Sequence, residues 1–105
     1  MKTFSERVVA IARSIPKGRV TTYGRIAIAA GGGAMSSQSI TGILGKAYDE
    51  GIKDIPFHRI VYANGQVWMD ESNRAKRLKL YKREKLELDE KERIKDFSKK
   101  LFEFQ

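Results

Sequence analysis

Cysteine is absent from this sequence, and histidine occurs once, at position 58. The first absence excludes disulfides, cysteine-ligated zinc and thiol nucleophiles together. The second leaves a histidine-based metal site short of ligands, so no metal and no cofactor are expected. Long apolar runs are missing as well. Nothing is rich enough to span a bilayer, and Met1-Lys2-Thr3-Phe4 leads directly into an amphipathic pattern without an apolar signal-peptide core. The expectation is a cytoplasmic protein, or a nuclear one in a eukaryote, with no membrane partner. Acidic residues are scarce in one region only. Residues 1–48 hold seven Lys or Arg (Lys2, Arg7, Arg13, Lys17, Arg19, Arg25, Lys46) against one acid, Glu6. Residues 49–73 are net acidic, and from Arg74 onward twelve basic residues mix with seven acidic ones. The net charge is +8. A nearly acid-free basic half favours a polyanion, because neutralising phosphates releases counterions. A soluble domain can be basic for other reasons, and charge alone leaves both readings open.

What is present fits one compact monomeric domain: 105 residues, 41% of them hydrophobic, with no repeats and no linker-like stretch. Thr3 and Glu6 have the spacing of a capping box. Val8, Ala12 and Ile15 follow at helical spacing until Pro16 and Gly18. Arg19-Val20-Thr21 reads as an extended step. Thr22 can cap a short second helix through Tyr23, Ile26, Ala27 and Ala30, stopped by Gly31-Gly32-Gly33. Ser36 or Ser37 can cap a third, whose core stripe is Ile40, Ile43, Leu44 and Ala47. Its other face is slim and polar, with Ser37, Gln38, Ser39, Thr41, Gly42 and Lys46. Such a pair fits a helix-turn-helix; a helical hairpin whose polar face meets water fits as well. Asn64-Gly65 between Ile60-Val61-Tyr62 and Val67-Trp68-Met69 is a hairpin signal, in the place of a wing. Ser72 or Asn73 caps a helix through Leu78 and Tyr81 to about Glu84. Asp89 with Glu92 opens a final helix bearing Ile94, Phe97, Leu101 and Phe104. The expected class is α+β, mainly helical: a winged helix-turn-helix with a short β-hairpin and an extra C-terminal helix.

Three stretches, in order, resemble the O6-alkylguanine-DNA alkyltransferase family. Ile15-Pro16-Lys17-Gly18-Arg19-Val20-Thr21-Thr22-Tyr23-Gly24-Arg25-Ile26-Ala27 resembles the entry to that family's helix-turn-helix. Ile40-Thr41-Gly42-Ile43-Leu44 falls where its recognition helix lies. Ile55-Pro56-Phe57-His58-Arg59-Ile60-Val61 resembles its active-site motif, Pro-Cys-His-Arg-Val-Val, with Phe57 in place of cysteine. The match runs from about residue 4 to 84, leaving 89–105 as an appended helix. It is closer still to the alkyltransferase-like branch, whose members carry tryptophan or alanine at the nucleophile and bind O6-alkylguanine without repairing it.

The resemblance implies a non-enzymatic binder of O6-alkylguanine in duplex DNA, which signals lesions to machinery such as nucleotide excision repair. Alkyl transfer needs a thiolate, and Phe57 offers no lone pair. Its ring is instead expected to line a lesion pocket with Tyr23, His58, Arg59, Ile60 and Trp68, or else to be a core aromatic. His58 and Glu84 match the histidine and glutamate of the family's relay and remain as a structural pair. Tyr23 matches a tyrosine that pushes on the target phosphate as the nucleotide rotates out. Thr22, Gly24 and Arg25 at the same helix start, and Ser37, Gln38, Ser39, Thr41, Gly42 and Lys46 on the next helix, are the expected DNA contacts. Gln38 departs from the pattern. It stands where the family places an intercalating arginine, and it lacks that residue's charge and stacking plane. The segment 45–54 is long for the family and carries Asp49, Glu50 and Asp54. The Lys and Arg residues between Arg74 and Lys85 can reach the backbone or form a solvated face. A DNA-binding or regulatory module without lesion specificity is the alternative on the same scaffold. An enzyme with another nucleophile lacks an organised candidate.

Overall fold

The computed structural model describes residues 3–32 and 38–104. Helix α1 (Phe4–Arg13) opens on the expected box: the Glu6 N–H donates to Thr3 Oγ1 at 3.2 Å, and the Thr3 N–H to Glu6 Oε1 at 3.3 Å. A cap of this kind contributes about 1 kcal/mol. Val8, Ala12 and Ile15 are buried as their spacing predicts. After strand β1 (Thr21–Thr22), Thr22 caps α2 (Tyr23–Ala29), its Oγ1 accepting from the Arg25 N–H at 3.2 Å. Gly31, at φ +93°, ends α2 in the left-handed conformation that glycine adopts at least cost. Arg7 Nε reaches across from α1 to the Ala30 carbonyl at 2.7 Å, satisfying one acceptor that a helix end leaves open.

Helix α3 (Ile40–Asp49) completes the helix-turn-helix. Ile40, Leu44 and Ala47 are buried against α1 and α2, with Ile43 partly buried beside them. Ser39 occupies its N-cap without a side-chain bond; Ser36 and Ser37 lie outside the described residues. A 3₁₀ turn (Phe57–Arg59) leads into β2 (Ile60–Val61), which pairs with β1 in parallel, Thr21 opposite Ile60 and Thr22 opposite Val61. Successive strand residues face opposite ways. Ile60 accordingly joins the core of α1, α2 and α3, while Val61 joins a second core with Val20, Val67, Tyr81, Leu86 and Ile94. Helix α4 (Arg74–Arg83) covers that second core. Tyr81 is its buried anchor, but Leu78, expected in the stripe, is 41% exposed.

Two expectations are corrected. The Asn64-Gly65 turn forms, with Gly65 at φ +86° and the Tyr62 N–H donating to the Gln66 carbonyl at 3.0 Å. The hairpin ladder does not continue. β1 already occupies an edge of β2, and the returning chain pairs elsewhere: the Val67 N–H donates to the Glu92 carbonyl at 2.9 Å, and Gln66 bridges Arg93. The long helix from Asp89 is likewise absent; the tail has one helical turn, α5 (Phe97–Lys100). Asp89 Oδ1 accepts from the N–H groups of Lys91 and Arg93, at 2.8 and 3.0 Å, and so closes a turn where a helix start was expected. Glu92 and Asp96 then adopt φ of 60° and 55°, which no right-handed helix accommodates. Ile94 is buried nonetheless, and Phe97 packs on Gly65, where a Cβ would come within 3.1 Å of its ring. Beyond α5 the chain clamps β1 from its other side: the Val20 N–H donates to the Lys100 carbonyl at 3.0 Å, and the Phe102 N–H to the Val20 carbonyl at 2.8 Å. Among the described residues no helix is long and apolar enough to cross a membrane.

Candidate nucleic-acid interface

The parallel β1–β2 pair sets the start of α2 beside the Phe57-His58-Arg59 turn, at the seam between the two cores. The turn sends its three side chains in different directions. Phe57 is half-buried against the first core and meets Tyr48 edge-on, ring centroids 5.9 Å apart. His58 turns to the second core, its ring 6.0 Å from that of Tyr81, and its Nε2 lies 2.6 Å from Glu84 Oε2. Arg59 clamps the same carboxylate, Nη2 to Oε2 at 2.9 Å and Nε to Oε1 at 3.0 Å, and gives Nη1 to the Ile15 carbonyl at 2.8 Å. The Gly18 N–H completes the set on Glu84 Oε1 at 3.1 Å.

Burial alone would raise the Glu84 pKa. The hydrogen bonds from Arg59, His58 and Gly18 outweigh it and hold the carboxyl at about 2. For His58 desolvation is the larger influence and lowers its pKa, against the opposing pull of Glu84. At neutral pH a neutral imidazole therefore donates from Nε2 to a fixed carboxylate, a charge-assisted hydrogen bond. The relay pair is present, and Arg59 is its structural brace.

Tyr23 stands at the first position of α2. Its ring lies 5.8 Å from Tyr62, and its pKa is raised by burial and then by Tyr62, against the lowering effects of Arg77 and the Thr41 hydroxyl. Trp68 is 46% exposed, with the Arg77 guanidinium 5.5 Å from its ring centroid. Of the expected pocket residues, Tyr23, Phe57, His58 and Trp68 thus flank the seam. Ile60 and Arg59 do not: Ile60 points into the first core at 2% exposure, and the Arg59 guanidinium is held by Glu84 and Ile15.

The expected contact face of α3 divides in two. Thr41 turns towards Tyr23. Gln38, Ser39, Gly42 and Lys46 border a recess of about 750 Å³ shared with α1, and Tyr23, Phe57 and Trp68 do not line it. A Cβ at Gly24, Gly42 or Gly45 would meet nothing within 4 Å. Internal packing does not require those glycines, although each helix-interior glycine costs about 1 kcal/mol relative to alanine. Arg25 approaches Glu103 at 3.5 Å, both exposed. Ser37 lies outside the described residues. Two of the acids in the long 45–54 segment are paired, Asp54 with Arg13 at 2.8 Å and Glu50 with Lys46 at 4.0 Å. Among the described residues no group of acids or histidine is placed to hold a metal ion.

Sequence reasoning missed four neighbours of this seam. Tyr62 and Tyr81 read as strand and core residues. Tyr48 sits on the exposed side of α3, and Arg77 was one of several cations on a helix whose outward and inward faces are both basic.

Residues 3–88 match the family model of the 6-O-methylguanine DNA methyltransferase, DNA-binding domain. No curated protein matches the chain in sequence. Among solved structures, Schizosaccharomyces pombe Atl1 in complex with damaged DNA containing O6-carboxymethylguanine is similar at a TM-score of 0.74 and 19% identity, covering 99% of this chain and all of that one. S. pombe ATL in complex with DNA is similar at a TM-score of 0.73 and 18% identity, with 99% and 100% covered. At this identity the likeness shows a shared fold.

Proposed function

Because the chain belongs to the 6-O-methylguanine DNA methyltransferase family, through that family's DNA-binding domain, we propose that it binds O6-alkylguanine in duplex DNA without removing the alkyl group. The observation that carries this reading is Phe57. It stands at the nucleophile's place in the motif, while the His58–Glu84 pair beside it remains assembled at 2.6 Å. That pair also braces the turn, so Phe57 is presented in the backbone shape that the motif implies. Without a thiol, the lesion is held and not altered.

The DNA enters through its minor groove, on the slim surface that Gly24, Gly42 and Gly45 leave open. Tyr23 presses on the target phosphate, the nucleotide rotates out, and the modified base lodges between Phe57 and Trp68. Flipping costs a few kcal/mol, least where pairing is already weakened by the lesion. Gln38, without a cation, fills the vacated stack less effectively than arginine. Any repair role then needs a partner, such as the nucleotide excision machinery, that senses the distorted complex. The fold likeness to S. pombe Atl1 bound to O6-carboxymethylguanine DNA supports the same direction.

The test is a competition between two duplexes differing in one base, O6-methylguanine or guanine, for the same labelled complex. The methylated duplex should compete at least tenfold better, with its methyl group intact after prolonged incubation. Equal competition would leave a DNA-binding module without lesion specificity, and loss of the methyl group would make the protein an enzyme.

A further inference from the structure

We propose that the outward face of α4 is a second nucleic-acid site, which holds the phosphates of another duplex while the first lies on α2 and α3. The inference presumes a first duplex there but not that it carries a lesion, and so goes beyond the reading above.

Six of the ten residues of α4 are lysine or arginine, and none is acidic. Two of the six are engaged within the protein: Arg77 with the Trp68 carbonyl and the Tyr81 hydroxyl, and Arg74 with Glu92. At about 100° per residue, the side of the helix opposite Arg77 and Tyr81 carries the other four. Lys76, Lys79, Lys82 and Arg83 are all exposed, and among the described residues none of them has an acid within ion-pair distance. A solvated helix face is stabilised by acids three or four positions from its cations. Here Lys79 has Lys76, Lys82 and Arg83 at those spacings, and each like-charge pair is destabilising. The cations of the first turn also oppose the helix dipole, with no side-chain cap at Asn73 to offset them. A polyanion laid on this face removes both penalties.

The shape of the face selects duplex DNA. Lys76 and Arg83 lie on one flank of the helix and Lys82 on the other, with Ala75 and Lys79 between them. A helix about 10–12 Å across with its side chains matches a major groove about 12 Å wide, whose two walls are rows of phosphates. An extended acidic peptide offers one row of carboxylates and leaves a flank unmatched. Lysines on the flanks contact phosphate as point charges and carry no sequence information. The two DNA surfaces also lie on opposite sides of the β1–β2 pair. The core that α2 and α3 enclose takes Ile60, whereas α4 covers the core that takes Val61 and turns its four cations away from it.

In the test, a biotinylated duplex with one O6-methylguanine is fixed to streptavidin beads, saturated with the protein and washed. A fluorescent unmodified duplex of unrelated sequence is then added. The wild type should retain this second duplex with a dissociation constant on the order of 1–10 µM at 50 mM salt, weakening about a hundredfold at 200 mM as four phosphate contacts require. Lys79→Gln with Lys82→Gln, where glutamine is nearly as good a helix former, should cut retention at least fivefold and about halve the salt slope. Lys91→Gln with Lys95→Gln removes the same charge from exposed positions of the tail and should preserve retention. All three proteins should bind the bead duplex alike, and sedimentation equilibrium should find one protein to two duplexes. No retention by the wild type, undiminished retention by the α4 variant, an equal loss in the tail variant, or two proteins per pair of duplexes overturns the inference. So does weaker binding of the bead duplex by the α4 variant, which would place α4 in the first footprint. Displacement by poly-L-glutamate at a lower charge concentration than by unlabelled duplex would assign the face to an acidic protein and overturn it as well. Exchanging O6-methylguanine for guanine on the beads tests the lesion reading separately, since it alters how firmly the first duplex is held and not whether a second is captured.

Discussion

Replacing Glu84 by glutamine removes the one anion around which the motif is organised. In the folded protein its carboxyl titrates at about 2, against an ordinary 4.5. A displacement of that size corresponds to about 3 kcal/mol of folding stability at neutral pH. The side chain is 4% exposed, so solvent screening removes little of it. The loss in the variant has a second source, because Arg59, only 14% exposed, keeps its charge and loses its counter-ion. Glutamine can still accept from Gly18, which limits the damage. Urea unfolding followed by far-UV circular dichroism at pH 7.5 should therefore show a loss of about 3–5 kcal/mol, and the midpoint of thermal unfolding should fall by roughly 10–20 °C. The pH dependence carries the sharper test. A depressed carboxylate stabilises fully above its unfolded value, and that stability drains as the pH falls from 4.5 towards 2, because the unfolded chain takes the proton first. The wild type should approach the variant over that window while the variant itself changes far less. His58 acts in the same direction at higher pH, its depressed value removing stability as the pH falls below 6.5. A loss under about 1 kcal/mol at pH 7.5, or parallel curves for the two proteins between pH 5 and 2.5, would refute the reasoning.

Three further outcomes follow from the same structure. Gly42→Leu should fold at least as stably as the wild type, gaining about 0.5–1 kcal/mol of helix propensity where a Cβ meets nothing within 4 Å, yet bind DNA at least tenfold more weakly in a mobility-shift titration; unchanged affinity would remove α3 from the interface. Tyr23→Phe should keep its packing beside Tyr62 and lose roughly threefold to tenfold in affinity for the methylated duplex, with a smaller rise in the fluorescence of 2-aminopurine placed at the target; a full rise would show that the hydroxyl has no part in rotating the nucleotide. Phe57→Cys should transfer methyl groups slowly at best, followed as a covalent mass increase of the protein. The imidazole faces Glu84 and Tyr81, not position 57, and rapid stoichiometric transfer would show the thiol's environment to be fully assembled.

The local parts of the fold were legible because their signals are local. Thr3 with Glu6 and Thr22 before Tyr23 declared their caps three residues away. The stripes Val8-Ala12-Ile15 and Ile40-Leu44-Ala47 are buried where a 3.6-residue period puts them. The turn at Asn64-Gly65 was equally visible, but what its arms pair with was not, since β1 lies forty residues upstream and the extended step read there carried no sign of its partner. Ile94, Phe97 and Leu101 have helical spacing and do face the protein, yet Asp89 captures two backbone N–H groups and bends the chain before a helix can start. Tertiary pairing prevailed over period there. In the candidate site, the motif pointed to Phe57, His58 and Tyr23, and residue-by-residue matching paired His58 with Glu84, which the structure places 2.6 Å apart. It misplaced Ile60, because strand alternation turns that residue inward. Arg77 was invisible for a different reason: on α4 one inward-turned arginine looks like its five basic neighbours until the helix is rotated into place.

The clamp of residues 100–102 on Val20 has a bearing on how the protein comes into being. The strand that launches Tyr23 is held from one side by β2 and from the other by a segment some eighty positions downstream. On a ribosome, the first half of the chain can form α1 and α2 early, but the step that leads into Tyr23 stays half-supported until residue 102 has left the exit tunnel. Closing so long a loop is slow compared with forming helices. The surface proposed to meet DNA is therefore among the last parts of the molecule to take shape, and a nascent chain stalled before that point would present a basic helical face with no ordered β1 behind it.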